Sequence, residues 1–236
     1  MAHRSVNGKE SLRRIEVDPE RVASWVNGFA RRHGKTDCLP GRLVWSPSHR
    51  SVSLSAEDGA TAVLQPFAIS GSGVLGDWSG LGELEALTRW VAPPDRLGLI
   101  LVRRGGYAVG LAKGRELTGH KVGTRYVQSR TAAGGWSQHR FARRRDNQTD
   151  ALVVSVIEHT RRVVMAAPVD ALVVGGDKTL VRNVLDDPRL ARLTRVPRRE
   201  LFDLPDPKLV ILRQALRRGR AVRIVLCEPD VRLSLR

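Results

Sequence analysis

Five consecutive residues near the middle of the chain, Gly134-Gly135-Trp136-Ser137-Gln138, are of types that could do chemistry together. Paired glycines permit positive φ and let backbone come close to a ligand. Ala132 and Ala133, just before them, keep the stretch thin. Gln138 adds a neutral amide, a donor on one side and an acceptor on the other. An amide takes up no proton at neutral pH, so it is not a general base. It can orient a water toward an ester carbonyl and stabilise charge as that charge develops. An activated ester needs little beyond such positioning. The same residues also suit a plain glycine turn between two elements of a basic protein, and spacing alone does not separate the two readings.

The flanks say what the tip would meet. Residues 120–148 read HKVGTRYVQSRTAAGGWSQHRFARRRDNQ, and no acidic residue stands between Glu116 and Asp146. The whole chain of 236 residues carries 40 basic against 24 acidic side chains, a formal +16. That balance favours a polyanion. A membrane surface fits less well, because no basic amphipathic helix with an aromatic face is visible. The excess is mostly arginine, which forks phosphate and stacks on bases. A GC-rich genome produces the same preference for arginine over lysine, but it does not remove the net charge.

Other constellations fail on spacing. The six histidines form no HExxH or HxxxH pair, so no metal is expected. Gly175-Gly176-Asp177-Lys178-Thr179 ends like a phosphate loop but lacks its first glycine, and reads as a strand-to-helix turn. Ser137 and His139 flank Gln138 without a third member for a triad. Acids fall in turns and caps, not in the cluster a two-metal nuclease needs. Cys38 and Cys227 stand far apart, outside any CxxC, as suits a reducing cytosol. The N-terminus has no apolar core of a signal peptide, and no apolar run approaches the roughly 20 residues of a membrane span. A cytoplasmic location is expected.

The elements that must position the tip follow from pattern. Residues 1–17 look like a mobile or loosely packed lead. Asp18-Pro19-Glu20 opens a helix carrying Val22, Trp25, Val26 and Phe29 on one face, and Gly34 stops it. Strands over 42–45, 51–55 and 61–67 make an antiparallel meander, and Gly/Ser-rich residues 70–82 form a loop or linker. Residues 83–91 make a short helix before Pro93-Pro94. The aliphatic run 97–102, the return 107–112 and the longer strand 116–128 lead to the tip. A helix then starts with a basic first half and buries Leu152, Val156, Ile157 and Val164. Strand 171–174, helix 178–185, a helix through Arg218 and strand 221–227 complete the chain. The expected fold is α+β or α/β, a mixed sheet covered by helices. The expected domains are 1–92, a smaller α+β portion, and 93–236.

Thr124-Arg125-Tyr126, Arg130 and Gly134-Gly135-Trp136-Ser137-Gln138, followed by a basic helix, resemble the RNase-H-like middle domain of eukaryotic and archaeal release factors. More closely they resemble the Vms-like release-factor family, the peptidyl-tRNA hydrolases of ribosome quality control, and its actinobacterial branch. The strand–turn–helix at 172–185 adds to the likeness, which covers about residues 95–227. Residues 1–92 carry none of it. The family's glycine-x-x-glutamine motif falls on Gly135 and Gln138. Release factors carry Gly-Gly-Gln contiguously, whereas here Trp136 and Ser137 intervene, which changes the reach of the amide.

The resemblance implies a ribosome-associated peptidyl-tRNA hydrolase that acts in the cytoplasm as a monomer, without metal or nucleotide. Gln138 would be catalytic and would position the water; Gly134 and Gly135 would shape the loop. Lys121, Arg125, Arg130, Arg140, Arg143, Arg144 and Arg145 would contact ribosomal RNA and the tRNA end at the peptidyl transferase centre of the large subunit. Two alternatives stay open: a non-catalytic ribosome or RNA binder of the same fold, and a nuclease that cuts the tRNA acceptor end.

Overall fold

The structure is a computed structural model, and it describes residues 11–43, 46–67, 83–124 and 137–229. The chain divides into two compact units, Met1–Pro93 with Arg220–Arg236, and Pro94–Gly219.

The first unit is built on an antiparallel sheet of five strands: β1 (Ser11–Val17), β2 (Thr36–Leu43), β3 (Ser46–Ala56), β4 (Thr61–Gln65) and β10 (Val222–Glu228), in the order β1-β10-β4-β3-β2. Alternation drives it, since in β4 and β10 every second residue is buried. Val52, Leu54, Ala62, Leu64, Val222, Ile224 and Leu226 pack with Val22 and Phe29 of helix α1 (Val22–His33) and Leu87 of helix α2 (Glu83–Trp90). Pro19–Arg21, a single 3-10 turn, leads into α1, and Gly34 ends it at φ 87°. Trp25, expected in the core, is half-buried and stacks on Phe29 at 5.6 Å between ring centroids.

Two expectations are corrected here. Residues 11–17, expected as a loose lead, form an edge strand whose partner is β10. The last strand, expected with residues 93–236, pairs instead with β1 and β4. Its buried Val222, Ile224 and Leu226 complete the first unit's apolar face, and local patterning cannot reveal a partner some 160 residues away (61–65 against 223–227). Arg220, 8% exposed, fixes the entry to this strand with a 2.6 Å bond to Glu20.

The second unit is the expected mixed sheet covered by helices. β5 (Arg96–Arg103), β6 (Gly106–Lys113) and β7 (Glu116–Thr124) are antiparallel; β8 (Ala171–Gly176) and β9 (Arg198–Leu201) add parallel to β5, in the order β7-β6-β5-β8-β9. The strand β9 has no counterpart in the sequence pattern, because RREL alternates only once. The run Leu97–Val102 is buried throughout, as a central strand covered on both faces must be. Helices α3 (Ser137–Val163) and α4 (Lys178–Leu185) pack on one face through Leu152, Val156, Ile157, Leu180 and Val184 against Ile100, Val102, Val109 and Val174. Helix α5 (Leu209–Arg220) lies close on β8, since a Cβ on Gly219 would meet Val173 at 2.4 Å.

Gly175-Gly176-Asp177 is a strand-to-helix turn. Gly176 has φ 100°, and a Cβ there would lie 2.0 Å from the Val102 carbonyl oxygen. Asp177 caps α4 by accepting from the Thr179 and Leu180 amides at 2.9 and 3.2 Å. The amides a phosphate would use are thus already occupied.

Candidate functional site

β7 ends at Thr124 and α3 begins at Ser137, so the twelve residues 125–136 connect them. Arg125, Arg130, Gly134 and Gly135 belong to that connection and lie outside the described residues. Gln138 stands in the first turn of α3, and Arg140, Arg143, Arg144 and Arg145 follow on the same helix. The side chains of 137–147 also lie outside the described part. Lys121 is an exposed residue of β7, the edge strand that leads into the connection. The backbone therefore gathers Gln138 and four of the arginines on one helical segment and puts Lys121 on the strand before it.

The start of α3 is an unusual place for that much positive charge. Helix N-termini carry unsatisfied N–H groups and the positive end of the macrodipole, and they favour acids. The first turn of α3 has no acidic residue. An arginine there is held against the dipole, which a bound polyanion would offset.

What fixes this segment is the far half of α3. Leu152 is fully buried, with Val156, Ile157 and Thr160 beyond it. Ser137 is fifteen residues before Leu152, about 22 Å along the axis at 1.5 Å per residue. On the strand side, Gly123 pairs with Tyr107 of β6, and a Cβ on Gly123 would lie 2.4 Å from the tyrosine Cζ. The ring thus crosses the strand just before the connection. The ring also stacks on His159 of α3, at 5.5 Å between centroids with 18° between planes. Strand, ring and helix are locked together at the base of the candidate loop.

Electrostatics at this base follow from the packing. Burial lowers the pKa of His159, the cations of Lys121 and Arg162 lower it further, and Glu158 opposes them. Glu158 also accepts from Arg189 at 3.0 Å, and Arg189 bonds Asp187 at 2.8 and 2.9 Å. The hydrogen bonds from Arg189 hold the Asp187 carboxyl at about 2. This chain ties the turn after α4 to the outer side of α3.

Among the described residues no group of three or more His, Cys, Asp or Glu is placed to hold a metal, and no helix is long and apolar enough to cross a membrane. Tyr107 and His159 are absent from the sequence-predicted site. A glycine inside a strand marks close approach of another group, and Gly123 was the available clue.

Comparison with known proteins bears on the same stretch. A family profile described as the Actinobacteria/chloroflexi VLRF1 release factor matches residues 95–225, more than half of the chain. No curated protein matches significantly. A solved structure titled "Vms1 mitochondrial localization core" is 13% identical and covers 73% of this chain and 74% of its own, with a TM-score of 0.40.

Proposed function

The chain belongs to the Actinobacteria/chloroflexi VLRF1 release factor family, and from that premise we propose that it is a peptidyl-tRNA hydrolase acting on ribosomes or large subunits in translation quality control or rescue. Water, oriented by the Gln138 amide, adds to the ester carbonyl that links the nascent chain to tRNA. The tetrahedral intermediate collapses with departure of the terminal ribose hydroxyl, leaving a free peptide and an intact tRNA. Gly134 and Gly135 let the loop approach the ester. Lys121, Arg125, Arg130, Arg140, Arg143, Arg144 and Arg145 face RNA phosphates. The protein works in the cytoplasm as a monomer, without metal or nucleotide.

The observation that carries this reading is the position of Gln138. It follows Gly135 at the family spacing, within the matched stretch, and it stands in the opening turn of a helix with no acid in that turn. Free backbone amides of such a turn suit an oxyanion. Ser137 and Gln138 both belong to that turn.

Large subunits carrying peptidyl-tRNA, incubated with wild type and with Gln138→Ala, test it. Removal of a single positioning group of this kind costs roughly 100- to 1,000-fold in rate, so the variant is expected to bind subunits and leave the ester whole. Release at the wild-type rate would sink the assignment. Gel analysis of the tRNA must show a full-length 3′ end; a shortened one would make the protein a nuclease.

A further inference from the structure

The first unit carries a small pocket that the hydrolase reading does not use. It is a cavity of about 250 Å³ between α1 and the β1–β10 edge, lined by Arg13, Ile15, Trp25, Gly28, Phe29 and Arg32. Its floor is apolar and aromatic, with Trp25 stacked on Phe29 and Phe29 only 3% exposed. Its rim is cationic. Arg13 and Arg32 both turn toward Glu228, each at 3.6 Å, beyond hydrogen-bond distance, and their side chains are 62% and 67% exposed. Both guanidinium groups retain donors for another acceptor. Two cations face one carboxylate, so the rim is net positive.

Gly28 is the informative residue. It lies inside α1, where glycine destabilises a helix by roughly 0.5–1 kcal/mol relative to alanine. Close packing against the described residues does not account for it, since among them an added Cβ would meet, beyond its own helix backbone, the end of Arg31 at 3.8 Å. The bare backbone instead leaves one wall of the pocket flat, beside Trp25.

We propose that this pocket takes one unpaired nucleotide of an RNA strand, with its base against Trp25 and the bare face at Gly28 and its phosphate on the donors of Arg13 and Arg32 that Glu228 leaves free. The volume falls below the roughly 300–1,000 Å³ of pockets for drug-sized ligands and cofactors, which favours a single ring system presented by a polymer. A flat aromatic floor with a cationic rim is the chemistry by which single strands are held without sequence readout. The choice of RNA as the strand rests on the proposed function; the pocket itself lies outside residues 95–225.

Fluorescence anisotropy of the full chain with a labelled single-stranded RNA oligonucleotide, and with the same oligonucleotide annealed to its complement, tests the pocket. Gly28→Leu fills the flat wall without changing charge and is expected to weaken single-strand binding by about fivefold or more, with duplex binding unchanged because paired bases cannot enter. Equal binding by Gly28→Leu and wild type, or an equal loss on duplex, overturns the proposal. The double variant Arg13→Gln/Arg32→Gln alters only exposed side chains. It should reduce the salt dependence of single-strand binding by about 0.7 in the log–log slope, the value for one neutralised phosphate, and an unchanged slope overturns the phosphate contact. A loss of binding to a glutamate-rich peptide with RNA binding intact would make the occupant a protein segment and reject RNA. Gln138→Ala is expected to bind the oligonucleotide as wild type does, so this proposal and the hydrolase reading can fail separately.

Discussion

Gly123→Ala should loosen the base of the candidate loop through a single methyl group. The new carbon would lie 2.4 Å from Cζ of Tyr107 and 2.5 Å from both Cε1 and the hydroxyl oxygen. The optimum for carbon pairs is roughly 3.5–4.0 Å, so the ring or the strand must move by more than an ångström. The ring is 6% exposed and stacked on His159, so moving it disturbs that stack. Overpacking of this kind costs about 1–3 kcal/mol, and a lost aromatic stack adds about 0.5–1.5 kcal/mol. Because β7 is an edge strand that can shift outward, a net cost of about 2 kcal/mol is reasonable. Hydrogen–deuterium exchange of β6 and β7 peptides reads this locally, and about 2 kcal/mol corresponds to a roughly thirtyfold loss of protection. Peptides from β3 and β4 are the internal control and should keep theirs. In a Tyr107→Ala background the clash has no partner, and Gly123→Ala should no longer lower protection. If the glycine substitution loosens β7 as much without the ring as with it, the ring is not what requires glycine at this position.

Two further outcomes follow from described contacts. His159 has a folded pKa below its ordinary 6.5, so the unfolded chain binds its proton more readily; the stability it contributes is present above pH 6.5 and is lost as the pH falls through the folded value. The urea midpoint should therefore decline from pH 7 to pH 5, and His159→Phe, which keeps a ring beside Tyr107, should flatten that decline; parallel curves would exclude His159 as its source. Arg199, 7% exposed, donates from β9 to the carbonyls of Arg218 and Gly219 at 3.4 and 3.1 Å. Arg199→Leu leaves the end of α5 without these donors and should cost about 1–3 kcal/mol in urea denaturation followed by circular dichroism.

Much of the second unit was legible because its elements announce themselves locally. The aliphatic run 97–102, the Asp177 cap and the periodic Leu152, Val156 and Ile157 each need only their neighbours to be recognised. The pairing of β10 with β1 and β4 was not legible, since it joins the two ends of the sequence and depends on tertiary closure. The edge strand β1 was hidden by three charges among its seven residues, which an edge tolerates because one side faces water. Of the site, the motif and its charge were in the sequence. The Tyr107 ring that holds the strand to α3 was not, because it acts across β6 and β7 and then across to a helix some fifty residues later (107 to 159).

The length of α3 also sets an angle. Gln138 precedes Leu152 by fourteen residues, and at 100° per residue the two α-carbons differ by only about 40° around the helix. The glutamine position is thus in phase with the stripe that is buried against the sheet further along. One residue inserted at exposed Asp150 would turn it by about 100°, to a different side of the helix, whereas seven would leave it within about 20° of its present phase and carry it about 10 Å farther out. The spacer between core and motif is therefore keyed by rotation as well as by length, so that a change of one heptad preserves the facing of the motif and a change of one residue does not.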